Sequence, residues 1–166
     1  YEANHLVEYH LVNLIQPLRI QSEVYSFQAT VEDRKPLKPM SRELGEKERI
    51  DVATMLASTP GNSTTDFIPL ESIINSISDE QRDKIRDGEL KKIAIVCTDG
   101  ESDDAGRVRS CLNALRADGV VVVGIGITTE GQAALSTYAP DARLAETAER
   151  LPIVLTDILK ECLAEV

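Results

Sequence analysis

The chain has no Trp and only two Phe and four Tyr in 166 residues, so a base-stacking platform or a carbohydrate-stacking surface has almost nothing to be built from. Its two histidines, His5 and His10, are five residues apart, about 140° around a helix, and cannot share a metal as an i, i+4 pair could. Both read as surface or boundary residues, and no other His remains for general-base work. Cys97, Cys111 and Cys162 are far apart with no Cys-x-x-Cys spacing, which excludes a zinc framework and a disulfide scaffold. They read as buried small hydrophobes, which suits a reducing, cytoplasmic compartment. The apolar runs are strand-sized, so no membrane-spanning helix and no signal-peptide core is expected.

Basic residues are also in deficit. Lys and Arg total 18 against 28 Asp and Glu, a formal charge of −10, with a pI near 4.7. Such an excess repels phosphate backbones and anionic headgroups, and Arg34, Lys35 and Lys38 form the only basic cluster outside mixed-sign runs. Neither nucleic acid nor a membrane is expected as a partner.

What is present is a globular composition, 42% hydrophobic and 28% charged, in a chain long enough for one domain over residues 1–166 and too short for two. Apolar residues recur at helical spacing from Glu2 to Leu18, and Ser22 to Val31 alternates as a half-buried strand does. Pro36, Pro39 and Gly45 predict a loop, followed by a modest helix from Glu46 to Ala57. The polar stretch Pro60 to Thr65 leads to Asp66, placed to cap a helix carrying Phe67, Leu70, Ile73, Ile74 and Ile77. Asp79 to Lys92, with five acids and five bases, reads as a solvated helical face or connector.

Ile93 to Cys97 is strongly strand-like and ends in Thr98-Asp99-Gly100. Asp103 or Asp104 then opens a helix aligned on Ala105, Val108, Leu112 and Leu115, which Asp118-Gly119 closes. Val120 to Ile127 is a β-branched run expected of a strand buried on both faces. A short helix from Gln132 to Tyr138, a strand near Arg143 to Ala145 and a last helix from Glu149 to Leu163 complete the order. Helices alternating with strands of this kind predict an α/β fold, a parallel sheet with helices on both faces. In such folds ligands bind beyond the carboxyl ends of the strands, which directs attention to the loops after Cys97 and Ile127 and the loop before Asp66.

Two constellations lie there. Asp99 at the end of its strand, with Glu101, Asp103 and Asp104 following, suits a hard divalent cation, which takes oxygen ligands and keeps several waters. An Asp-Gly turn followed by helix-capping acids explains the same residues without a ligand. The hydroxyls of Ser63, Thr64 and Thr65, just ahead of a helix, read by default as caps, yet a hydroxyl loop and an acidic loop at one end of a sheet could converge on one ion. Enzyme patterns fail: Gly124 and Gly126 lie within a strand run and read as allowing close helix packing, and Cys97 stands where an aspartyl nucleophile would need an Asp. No nucleophile elbow and no activated Cys is encoded, so no enzymatic activity is expected.

Lys92 through Glu101, ending in Thr98-Asp99-Gly100, is similar to the strand that ends in Thr-Asp-Gly in von Willebrand factor type A (vWA) domains. Asn62 through Asp66 is similar to that family's Gly-Gly-Thr-Asp loop, Gly119 through Gly126 resembles its next strand, and Arg150-Leu151-Pro152 resembles the opening of its final helix. The resemblance spans nearly the whole chain. It implies a Rossmann-like three-layer sandwich with a metal-ion-dependent adhesion site, where an Asp-x-Ser-x-Ser motif, a Thr and an Asp hold Mg2+, Mn2+ or Ca2+. Thr65 would match the Thr and Asp99 the Asp, with Ser63, Thr64, Asp66, Gly100 and Glu101 as neighbours or partner-contacting residues.

No Asp-x-Ser-x-Ser occurs in the sequence. The resemblance therefore implies a domain that is N-terminally incomplete, its first central strand omitted, cleaved or supplied by another chain, with cation binding weak or absent in this polypeptide. The family implies recognition of a protein partner that offers a carboxylate to the cation. The loop from Arg34 to Gly45 and the cysteine usage resemble bacterial members that work beside AAA+ ATPases. The alternatives are a metal-dependent hydrolase or phosphotransfer domain using Asp99, Asp103 and Asp104, and a scaffold with a vestigial metal site.

Overall fold

The computed structural model describes residues 2–15, 20–27, 35–54 and 63–164, with side chains from residue 6 onward. Two helices come first, α1 (Glu2–His10) and α2 (Glu46–Thr54), followed by α3 (Phe67–Ser76) and α4 (Asp79–Arg86). The second half alternates as β1 (Ile93–Thr98), α5 (Ala105–Ala117), β2 (Val121–Ile127), α6 (Gln132–Tyr138), β3 (Ala142–Ala145) and α7 (Leu151–Ala164).

Among the described residues the strands form one parallel sheet with β2 between β1 and β3. The register runs from Ile93 opposite Val121 to Thr98 opposite Gly126, and from Gly124 opposite Ala142 to Ile127 opposite Ala145. Because side chains alternate along a strand, each strand feeds two cores. Ala94, Val96 and Val122 join Leu70, Val108, Leu112, Leu115 and Tyr138 under α3, α5 and α6. Val123, Ile125 and Ile127 join Leu151, Leu155 and Ile158 under α7, with Leu6 and Val7 of α1 packed against them. Burial on both faces explains the apolar, β-branched character of β2. Each fully buried Leu or Ile contributes about 1.5–3 kcal/mol through removal of apolar surface from water. The result is the α/β, Rossmann-like arrangement expected from the sequence.

The helix ends follow their local chemistry. Ser78 caps α4 through a reciprocal capping box, accepting from the Gln81 amide at 3.2 Å while Gln81 accepts from the Ser78 amide at 3.2 Å. Asp104 caps α5 by accepting from the Arg107 amide at 2.9 Å, and Asp118 and Gly119 end that helix. Gly124 lets α6 approach the sheet: a Cβ there would lie 2.3 Å from Cγ of Tyr138. The close helix packing expected of the strand glycines is thus what they provide.

Several local expectations need correction. The first helix is α-helical only to His10, and Leu11–Ile15 form a wider π-helical turn; residues 16–18 lie outside the described residues. His10 is not a surface residue but is buried at 6% exposure, with Nε2 lacking a hydrogen-bond partner. The stretch 22–27 is not a ladder strand: Val24 makes an isolated antiparallel bridge to Lys38, and 28–31 lie outside the described residues. The final α-helix starts at Leu151 after a single 3-10 turn, Ala148–Arg150. The second helix ends at Thr54, and 55–57 lie outside the described residues. No helix of the described residues is long and apolar enough to cross a membrane.

Candidate functional site

The carboxyl end of β1 and the amino end of α3 meet. Thr98 closes the strand, buried, and its hydroxyl bonds the Gly100 amide at 3.3 Å and the Gly100 carbonyl at 3.2 Å, turning the chain. Asp99 is thereby presented exposed at the strand end, followed by exposed Glu101, Asp103 and Asp104. Across from it, Ser63 and Thr64 are half-buried and Thr65 is buried.

Three contacts join the two loops. The Asp103 amide donates to the Thr64 carbonyl at 3.0 Å. Gly100 lies against Thr64, since a Cβ there would stand 3.4 Å from the Thr64 hydroxyl oxygen. The Ser102 hydroxyl donates to Oδ1 of Asp66 at 2.6 Å. The hydroxyl loop and the acidic loop therefore sit side by side.

Asp66 departs from its expected part. It occupies the N-cap position of α3 in helical conformation, but its side chain makes no capping bond. Instead the carboxylate is turned inward at 1% exposure, with Ser102 on Oδ1 and the Tyr138 hydroxyl on Oδ2. Loss of hydration pushes this carboxyl above its ordinary range, opposed by the bonds from Ser102 and Tyr138. Burial, with the neighbouring Asp66 charge, also pushes the Tyr138 phenol up, so Tyr138 remains a hydrogen-bond donor.

One acid of the hydrolase alternative, Asp104, has a structural role. The Asp104 carboxylate is engaged in capping α5, and the Asp103 backbone serves the loop junction. Burial raises the Cys97 and Cys111 thiols, the opposite of an activated nucleophile.

A family model described as von Willebrand factor type A domain matches residues 5–157. The chain belongs to this family. Neither a curated protein nor a solved structure matches it. vWA domains are commonly metal-dependent protein-interaction modules, so the junction can be tested for its fit to a divalent cation. Thr65 and Asp99 offer only hard oxygens, the donor type that Mg2+ takes. Among the described residues no three or more His, Cys, Asp or Glu side chains could hold an ion together. The fit of Thr65 and Asp99 to a divalent cation is therefore one of donor type alone, oxygen ligands of the kind that Mg2+ takes together with waters.

Sequence reasoning missed Ser102 and Tyr138. Tyr138 carried a signal, a lone aromatic on a short helix following a strand with two glycines; Ser102, between acids, carried none. It also missed Thr128, which follows β2 at the same end of the sheet with φ 63, a left-handed conformation that a β-branched residue rarely adopts.

Proposed function

We propose that this vWA domain is a non-enzymatic protein-interaction module in which Thr65 and Asp99 hold a divalent cation of the Mg2+ class and a carboxylate from a protein partner completes its coordination. The observation that carries this reading is the junction itself: the loop presenting Asp99 is bonded to the loop carrying Thr65 through the Asp103 amide and the Thr64 carbonyl. When bound, the cation would supply a fixed positive charge for an anionic group. The chain's own residues orient it: Thr98 shapes the Asp99 turn, and exposed Glu101 and half-buried Ser63 and Thr64 border the approach.

With Thr65 and Asp99 as the proposed donors among the described residues, binding in this polypeptide is weak, and further oxygen ligands would strengthen it. The acidic surface, at −10 overall, favours a cation and makes direct docking of an acidic partner unfavourable unless the cation intervenes. By the loop over 34–45 and the cysteine usage, we infer an assembly containing an AAA+ ATPase as the setting.

The test is titration of the protein with MnCl2, followed by the Mn2+ paramagnetic signal and by thermal melting. Bound Mn2+ and a raised melting temperature are expected for the native chain, with both effects lost in Asp99→Ala and the binding preserved in Asp83→Ala on the remote α4. A native chain that binds no Mn2+, or an Asp99→Ala chain that binds it equally well, would overturn the reading.

A further inference from the structure

We propose that the buried Asp66 carboxylate is a brace that fixes the spacing of the two site loops, with Ser102 and Tyr138 as the positioning residues that hold it. A carboxylate taken out of water is costly unless its oxygens are bonded. At 1% exposure Asp66 makes no capping bond to its own helix, although the local backbone at Asp66 and Phe67 also bonds to the carboxyl. Its oxygens also join two distant elements. Oδ1 receives Ser102, in the middle of the 99–104 loop, and Oδ2 receives Tyr138, at the end of α6.

The anchor at the far end is rigid. The Tyr138 ring lies on Gly124 in the middle of β2, 1% exposed, where no side chain separates it from the strand. One carboxylate thus ties the start of α3, the loop after β1 and the helix after β2. The neighbouring bond from the Asp103 amide to the Thr64 carbonyl closes the same junction from the other side. Thr65 precedes the brace directly and Asp99 lies three residues before Ser102, so loosening it lets the two candidate ligands drift apart. This last consequence rests on the cation reading above; the brace does not.

The experiment uses the full chain and the variants Tyr138→Phe, Ser102→Ala and Ser102→Thr. Amide hydrogen exchange is measured without added metal, and Mn2+ affinity separately. Losing one bond to a buried carboxylate is expected to speed exchange at the Asp103 amide by about tenfold or more in Tyr138→Phe and Ser102→Ala. Protection across β2 stays intact, Ser102→Thr restores the slow rate, and Mn2+ affinity falls in step with loop opening. Unchanged exchange at Asp103, or acceleration spread evenly through β2 as for general destabilisation, would overturn the brace. A native chain that binds no Mn2+ while Asp103 exchange responds as stated removes the cation reading and leaves the brace standing. Mn2+ binding that depends on Asp99, with Asp103 exchange unchanged in Tyr138→Phe and Ser102→Ala, removes the brace and leaves the cation reading.

Discussion

The Tyr138 ring lies directly on the backbone of Gly124: a methyl group added at residue 124 would stand 2.3 Å from Cγ and 2.4 Å from Cβ of that tyrosine. The contact joins α6 to the central strand and carries the Tyr138 hydroxyl to Asp66. The closeness to Cβ means that no rotamer of Tyr138 can relieve a clash. Gly124→Ala is therefore expected to destabilise the fold by at least about 1–3 kcal/mol, the range for overpacked cores, read as a lowered urea midpoint with the slope unchanged. A midpoint within error of the native chain would mean that α6 can slide away from the sheet freely.

The ease with which different parts of this fold are read from the sequence follows from how local their causes are. The strands β1 and β2 declare themselves because packing on both faces, nearly complete in β2 and partial on one side of β1, calls for apolar runs rich in β-branched residues, Ile93–Thr98 and Val121–Ile127. The limits of α5 are local too, a capping Asp104 and the Asp118-Gly119 stop. The role of Asp66 is not, because its partners are 36 and 72 residues away and a capping position predicts the opposite orientation. The alternation at 22–27 reads as a strand, yet alternation reports a half-buried extended chain and cannot supply a ladder; the structure gives Val24 one bridge. The adjacency of the Thr65 and Asp99 loops was legible only through the rule that parallel sheets gather their loops at one end.

Asp104 separates a capping role from a chemical one. Its carboxylate accepts from the Arg107 amide at 2.9 Å, a task that Asn performs as well as Asp. Asp104→Ala should cost about 1 kcal/mol, and Asp104→Asn no more than a few tenths. Chemical denaturation of both variants checks this. If Asp104 were instead a metal ligand or a catalytic acid, Asp104→Asn would impair cation binding or turnover while leaving stability untouched.

A second polar link ties α3 to α5. Arg107 donates from Nε and Nη2 to the two Glu71 oxygens at 2.6 and 2.9 Å, and its guanidinium lies 4.3 Å from the centre of the Phe67 ring. Both charged side chains keep contact with solvent, at 45% and 26% exposure, so screening limits their attraction. Arg107→Ala is expected to lower the urea midpoint slightly, and a double-mutant cycle with Glu71→Ala should show the two losses to be less than additive. Arg107→Lys should recover little, because an ammonium cannot form the paired bonds or lie flat on the ring. Full recovery by Lys would assign the effect to charge alone.

His10 sets an acid limb on stability. It is buried at the junction of α1 and the π-helical turn, with Nε2 unpartnered, and desolvation holds its pKa below the ordinary 6.5. In the window between the depressed folded value and 6.5 the unfolded chain binds a proton at His10 that the folded chain does not. Stability therefore rises with pH through that window and is flat in this residue above it. Stability is therefore expected to fall as the pH is lowered from about 7.5 to about 5. His10→Leu removes the titrating group and the orphaned nitrogen together while leaving His5 in place. Melting curves across this range should show the native and His10→Leu chains diverging as the pH falls, with the variant the more stable; parallel curves would place the His10 imidazole in contact with water.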